Sequence, residues 1–149
     1  TGTMMTHAHR LHRGAWLLAA LLLPMSAAAG KISVPETIAG VTTLDAEGVI
    51  DLAERVPDLV IVDSRQRMDR RQGYIQGSVS LPDVETRCDS LKTVLAMPDT
   101  PALFYCNGVN CGRSVLAVEV AKGCGYTQLY WFRGGFEEWK RKGYPFLQM

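Results

Sequence analysis

From residue 43 onward, short apolar runs alternate with amphipathic stretches, and proline, glycine or polar clusters mark the boundaries. The segment Thr43-Leu44-Asp45-Ala46-Glu47 predicts a helix start with Thr43 as its cap, because Ala46, Ile50 and Ala53 recur at helical spacing. Pro57-Asp58 ends that helix. Leu59-Val60-Ile61-Val62 is a continuous apolar run rich in β-branched residues, as expected of a strand covered on both faces in a parallel sheet. Ser78-Val79-Ser80-Leu81-Pro82 predicts a short second strand stopped by proline, and residues 84–97 a helix broken by Pro98-Asp99-Thr100-Pro101. Residues 102–105 form the third and central strand. Residues 114–122, apolar at Val115, Val118 and Ala121, make a helix ended by Gly123. Residues 128–132 are the last strand, followed by Gly134-Gly135, a helix around 136–140, and a stop at Gly143-Tyr144-Pro145. Trp131 and Trp139 are expected in the core. Strands that alternate with helices imply an α/β domain with a mostly parallel sheet.

In such sheets, ligands sit beyond the carboxyl ends of the strands. Asp63-Ser64-Arg65 falls there, and so does Cys106, the first residue of a loop running Cys106-Asn107-Gly108-Val109-Asn110-Cys111-Gly112-Arg113-Ser114. A strand, a glycine-bearing loop and a helix N-terminus aim successive backbone N–H groups at one concavity, which attracts anions and favours a thiolate. Cys106 stands where a nucleophile would. Gly108 and Gly112 permit the positive φ values of a tight cradle, Asn110 tolerates them, and Arg113 adds charge at the rim. A permanent Cys106–Cys111 disulfide is the structural alternative. A zinc site is poorly matched, since the spacing of Cys106 and Cys111 exceeds the usual two to four intervening residues. A phosphate-binding loop lacks its lysine. Asp63 and Arg65 read either as an ion pair of the fold or as site residues, and Arg67, Arg70 and Arg71 as a solvated face.

The amino terminus changes the chemistry available. Thr1 to Thr3 read as residues left by expression, since Met4-Met5 is a more natural start. His7, His9, Arg10, His12 and Arg13 precede the apolar run 15–23, which is shorter than the ~20 residues a bilayer requires. Pro24 and Ser26-Ala27-Ala28-Ala29 follow, so residues 1–29 read as a secretory signal and residues 30–149 as one domain. Export implies a periplasmic or secreted protein that meets the membrane only in transit. Removal of the leader takes all three histidines, which excludes a Cys-His catalytic pair within one mature chain. It leaves fourteen basic against fifteen acidic residues, with no surplus of charge for nucleic acid. No metal or cofactor is expected. Outside the cytosol the four cysteines can form disulfides that persist. Cys124 is expected to lie away from the loop, and Cys88 to lie on the loop's side of the sheet, within approach of Cys111.

The chain resembles the single-domain rhodanese family over residues 43–146. Leu59-Val60-Ile61-Val62-Asp63-Ser64-Arg65 is similar to the family's strand ending in Asp-x-Arg, and Gly73-Tyr74-Ile75-Gln76-Gly77-Ser78 to its Gly-His-Ile-x-Gly-Ala. Phe104-Tyr105-Cys106 matches the strand that carries the catalytic cysteine. Residues 133–140 and Gly143-Tyr144-Pro145 are similar to the closing Gly-Gly-x-x-x-Trp and Gly-x-Pro. The resemblance implies a three-layer α/β domain with about five strands, and a sulfurtransferase that carries sulfur as a Cys106 persulfide. It makes Asn107, Gly108, Val109, Asn110, Cys111, Gly112, Arg113, Ser114 and Arg65 the substrate-binding candidates. The expected partners are a small-molecule sulfur donor and acceptor, or a protein acceptor. The loop departs from the family's Cys-x-x-Gly-x-Arg-Ser by two residues; related phosphatases use Cys-x5-Arg, whereas here the spacing is Cys-x6-Arg. The additional Cys111 opens a second reading, a thiol-disulfide module in which a persulfide or sulfenic acid on Cys106 resolves to a disulfide. A binding or sensor domain with an inert loop is the third.

Overall fold

The computed structural model describes Thr1, Gly2 and residues 33–149; the stretch read as a leader otherwise lies outside the described residues. Five strands form one sheet in the order β1-β5-β4-β2-β3, all parallel, where β1 is Thr42–Leu44, β2 Val60–Asp63, β3 Val79–Ser80, β4 Ala102–Tyr105 and β5 Leu129–Phe132. Every residue of the central strand β4 is buried, and its side chains alternate between two cores. Ala102 and Phe104 join Val62, Leu91, Leu95, Val118 and Trp131 on one face. Leu103 and Tyr105 join Ala46, Val49, Phe132, Phe136 and Trp139 on the other. Helices α2 (Cys88–Val94) and α3 (Arg113–Gly123) cover the first face, and α1 (Ala46–Arg55) and α4 (Gly135–Arg141) cover the second.

Three elements differ from the expectations. Thr42–Leu44 is an edge strand paired to β5, so Thr43 caps nothing; the cap of α1 is Asp45, whose Oδ1 accepts from Gly48 N at 2.9 Å. A three-residue strand is too short to show periodicity, and its threonines suit strand and cap alike. The buried stripe of α1 is Ala46, Val49 and Leu52 rather than Ala46, Ile50 and Ala53. Both sets have helical spacing, and the facing β-sheet decides between them. Helix α2 is half the expected length, because Asp83–Glu85 forms a separate 3-10 turn and Thr86 and Arg87 are extended. Ser90 Oγ accepts from Arg87 N at 2.9 Å and starts the helix late.

That late start moves Cys88. Asp83 pairs with Arg113 at the beginning of α3, and the chain then runs along the helix, so that Cys88 arrives beside Cys124 at its end. The two form a disulfide with Cα atoms 5.4 Å apart. Cys124 does lie away from the loop, as expected, but Cys88 is at the same far end and cannot approach Cys111. An 11-residue helix, roughly 16 Å long, separates them.

Candidate active site

Cys106 follows β4 directly and is 2% exposed. Its carbonyl accepts from Phe136 N at 2.9 Å, and that of Asn107 from Glu137 N at 2.7 Å, so the first turn of α4 holds the start of the loop. The approach requires glycine at 135: its φ is +58°, and a Cβ there would press on Cys106 O and lie 2.9 Å from Asn107 C. Beyond Asn107 the loop rises to an exposed tip at Val109 and Asn110, and Cys111 N donates to Gly108 O at 2.9 Å to bring it back. Cys111 returns to within a Cα distance of 6.1 Å of Cys106, and the two are joined as a disulfide.

The glycines of the loop do not act as expected. Neither Gly108 nor Gly112 has a positive φ, and no non-glycine residue among those described does, Asn110 included. The two additional residues spread the turn over more bonds, so none needs the left-handed region. A Cβ at Gly108 would meet the Glu137 carboxylate, the end of an exposed side chain that can turn aside.

Gly112 is the N-cap residue of α3, whose first N–H groups have no intrahelical partners and point back toward the loop. Ser114 Oγ accepts from Trp131 Nε1 at 2.9 Å, which ties that helix start to β5. A cleft of about 950 Å³ opens over the loop, lined by Asn107, Val109, Asn110, Cys111 and Gly112, with Asp83, Arg113, Arg133 and Val34 around them. Arg113 reaches Asp83 at 3.3 Å and remains a third exposed. Arg133 donates to Pro35 O and to Glu36, each at 2.9 Å. The sequence reading gave Arg133 no role, although its position just past β5, beside Cys106's own strand, was a signal of the kind that picked out Cys106.

Arg65 is elsewhere. It lies at the edge of a smaller cavity on the other side of Asn107, with its guanidinium committed to Asp63. Nε donates to Oδ1 at 2.8 Å and Nη2 to Oδ2 at 2.7 Å, while Nη2 also reaches Gly73 O at 2.9 Å. The Phe136 ring lies 4.5 Å from the guanidinium. Arg70 is not part of a solvated face. It is 8% exposed and donates to Asp63 Oδ2 and Ser78 Oγ, both at 3.0 Å, so that its buried guanidinium shares the Asp63 carboxylate with Arg65. Tyr105 OH donates to the same Oδ2 at 2.7 Å. Burial disfavours the Asp63 carboxylate, but the Arg65 hydrogen bonds and charge outweigh it and hold its pKa below the ordinary value. Burial, then the charge of Asp63, push the Tyr105 phenol up, so it stays a donor. This network locks the residues on either side of Cys106's strand end.

The arrangement offers a buried sulfur just past β4, joined to a second sulfur that lines an open cleft near the start of α3, with two arginines also in that lining. Among the described residues, no group of histidine, cysteine or carboxylate side chains could hold a metal ion, and no helix is long and apolar enough to cross a membrane. The chain is similar to the uncharacterized protein YibN of Escherichia coli, at 28% identity over 92 residues, 61% of this chain and 62% of that protein. It therefore spans less than two thirds of that relative's length. Among solved structures it is similar to a thiosulfate sulfurtransferase from Pseudomonas aeruginosa, with a TM-score of 0.63 and 23% identity over 72% of this chain and 20% of that one, a likeness of fold. A Rhodopseudomonas palustris protein of unknown function, described as a possible tyrosine phosphatase, has a TM-score of 0.60 and 30% identity over 77% of this chain and 100% of its own. The model of the rhodanese-like domain matches residues 46–142, the span from α1 to the end of α4, and the chain belongs to that family.

Proposed function

We propose that the chain is an exported sulfurtransferase, which takes sulfane sulfur from an anionic donor such as thiosulfate and carries it as a persulfide on Cys106. The observation that carries this reading is the position of Cys106, buried just past the end of the central strand and joined to Cys111 in the lining of a cleft that Arg113 and Arg133 also line. The Cys106 thiolate attacks the outer sulfur of the donor, and sulfite leaves with the electron pair of the broken S–S bond. Loop amides and the start of α3 favour the anionic forms on both sides of that step. An acceptor, small molecule or protein, then attacks the outer sulfur and restores the thiolate. The chemistry needs no histidine, because a thiolate is itself the nucleophile for sulfur. The wide cleft suits a donor larger than thiosulfate as well. Two disulfides that use all four cysteines support an oxidising compartment and hence export.

One observation favours a second reading. The Cys106–Cys111 disulfide is what a thiol-disulfide redox module would contain. Phosphatase chemistry, by contrast, is poorly served: Arg113 follows Cys106 after six residues and turns to Asp83. The deciding experiment is thiocyanate formation from thiosulfate and cyanide by the reduced protein. Wild type forms thiocyanate and Cys106→Ser forms none while keeping its circular dichroism. Equal activity of the two would overturn the sulfurtransferase reading.

A further inference from the structure

The loop holds a second sulfur that a transfer cycle leaves idle. Cys111 lies five residues beyond Cys106, and in the structure its Sγ is bonded to Cys106 Sγ. The Cα separation of 6.1 Å is within the range a disulfide spans without moving the backbone. On a persulfidated Cys106, Sγ is the inner sulfur, so the atom that Cys111 is placed to attack differs from the outer one that an acceptor attacks. Cys88 and Cys124 cannot compete for Cys111, because they are joined to each other at the far end of α3.

We propose that the chain has a second activity, the reductive release of sulfane sulfur as hydrosulfide, with Cys111 as the resolving thiol; this rests on the Cys106 persulfide of the proposed function. The Cys111 thiolate attacks Cys106 Sγ, a Cys106–Cys111 bond forms, and the bond from Cys106 Sγ to the outer sulfur breaks. The outer sulfur leaves with that electron pair and takes up the proton given up by Cys111, departing as hydrosulfide. The two cysteines together lose two electrons, and the sulfane sulfur gains them. One round needs no outside reductant. Further rounds need a dithiol, and exposure decides where it attacks: Cys111 is half-buried whereas Cys106 is 2% exposed, so the incoming thiol meets Cys111 Sγ. Cys106 then leaves as a thiolate beside the start of α3, and the second thiol of the reductant frees Cys111. The disulfide seen in the structure is the product state of this cycle.

The test is a single turnover of the full, reduced chain, freed of reductant and mixed anaerobically with one equivalent of thiosulfate. Sulfite and hydrosulfide are measured by trapping with a bromobimane, and the protein by intact mass. Wild type is expected to yield one equivalent each of sulfite and hydrosulfide and to end two hydrogens lighter than the reduced chain. Cys111→Ser is expected to yield sulfite alone and to end one sulfur heavier, with hydrosulfide falling from one equivalent to none. If wild type keeps the additional sulfur and releases no hydrosulfide while Cys111→Ser does the same, the second activity is refuted and sulfur transfer stands. If Cys111→Ser gains no sulfur and releases no sulfite, the persulfide reading fails and takes the second activity with it.

Discussion

At the scale of single residues, Asp63 does more for the site than any group in the cleft. It is fully buried and accepts from Arg65, Arg70 and Tyr105, which together hold the end of β2 to the end of β4 and so fix the strand end that Cys106 follows. Asp63→Ala leaves two buried guanidinium groups without their anion, and loss of one partner of a buried ion pair costs about 3–5 kcal/mol. Urea unfolding at neutral pH measures that loss. The pH dependence has a definite sign. Because the folded state lowers the Asp63 pKa, its contribution is fully present above the unfolded value, ~4, and is lost as pH falls through the lower folded one. Wild type should therefore lose stability on acidification below pH ~4, and Asp63→Ala should show a shallower decline over the same range. Parallel acid curves for the two proteins would contradict this role. The Asp-x-Arg spacing at a strand end was legible in the sequence, and the pair it forms is present. That Arg70 would join the pair was not legible, because Arg67, Arg70 and Arg71 carry no period that singles one out, and only tertiary packing brings Arg70 against Asp63 and Ser78.

Among elements, the contrast between the two disulfides separates stability from chemistry. Cys88–Cys124 joins the start of α2 to the end of α3 across 36 residues. Closing a loop of that length lowers the entropy of the unfolded chain, a stabilisation of about 4 kcal/mol at the upper end, and engineered cases often give less. The double variant Cys88→Ser with Cys124→Ser is accordingly expected to lose about 2–4 kcal/mol in urea unfolding. Its thiocyanate formation at neutral pH should match that of wild type, since the bridge lies a full helix length from Cys106. A loss of activity in protein that remains folded would show the two ends of α3 to be coupled. This pairing was not legible in the sequence. Four cysteines allow three pairings, and the choice turned on where α2 begins, which depends on the hydrogen bond from Arg87 N to Ser90 Oγ. The strands were far more legible, since β2, β4 and β5 are apolar runs bounded by proline, glycine or charge. The edge strand β1 was not, as three residues contribute pairing rather than pattern.

For the whole molecule, the question is which compartment the two disulfides fit. The sequence supplies a basic start, a short apolar run and Ala27-x-Ala29, the small residues that a signal peptidase accepts, and all four cysteines lie beyond them. Export would deliver the chain to surroundings where Cys88–Cys124 forms and stays, while on the proposed second activity Cys106–Cys111 would open and close with each turnover, because Cys111 is reachable from the cleft. Retention inside the cell would keep both pairs reduced, and the first would then add nothing to stability. The exported chain is therefore expected to begin at Gly30 or within two positions of it, which N-terminal sequencing of the exported fraction reads directly. Alkylation of intact cells with a membrane-impermeant reagent, followed by mass analysis, should find Cys88 and Cys124 unmodified because they are bonded. Cys106 and Cys111 should become labelled once a dithiol is supplied. Recovery of chains in a membrane fraction that still carry residues 4–29 would identify the segment as an anchor. Alkylation of all four cysteines by a membrane-permeant reagent without added reductant, with none by the impermeant one, would place the chain in a reducing compartment, and the stabilising role of Cys88–Cys124 would fall with it.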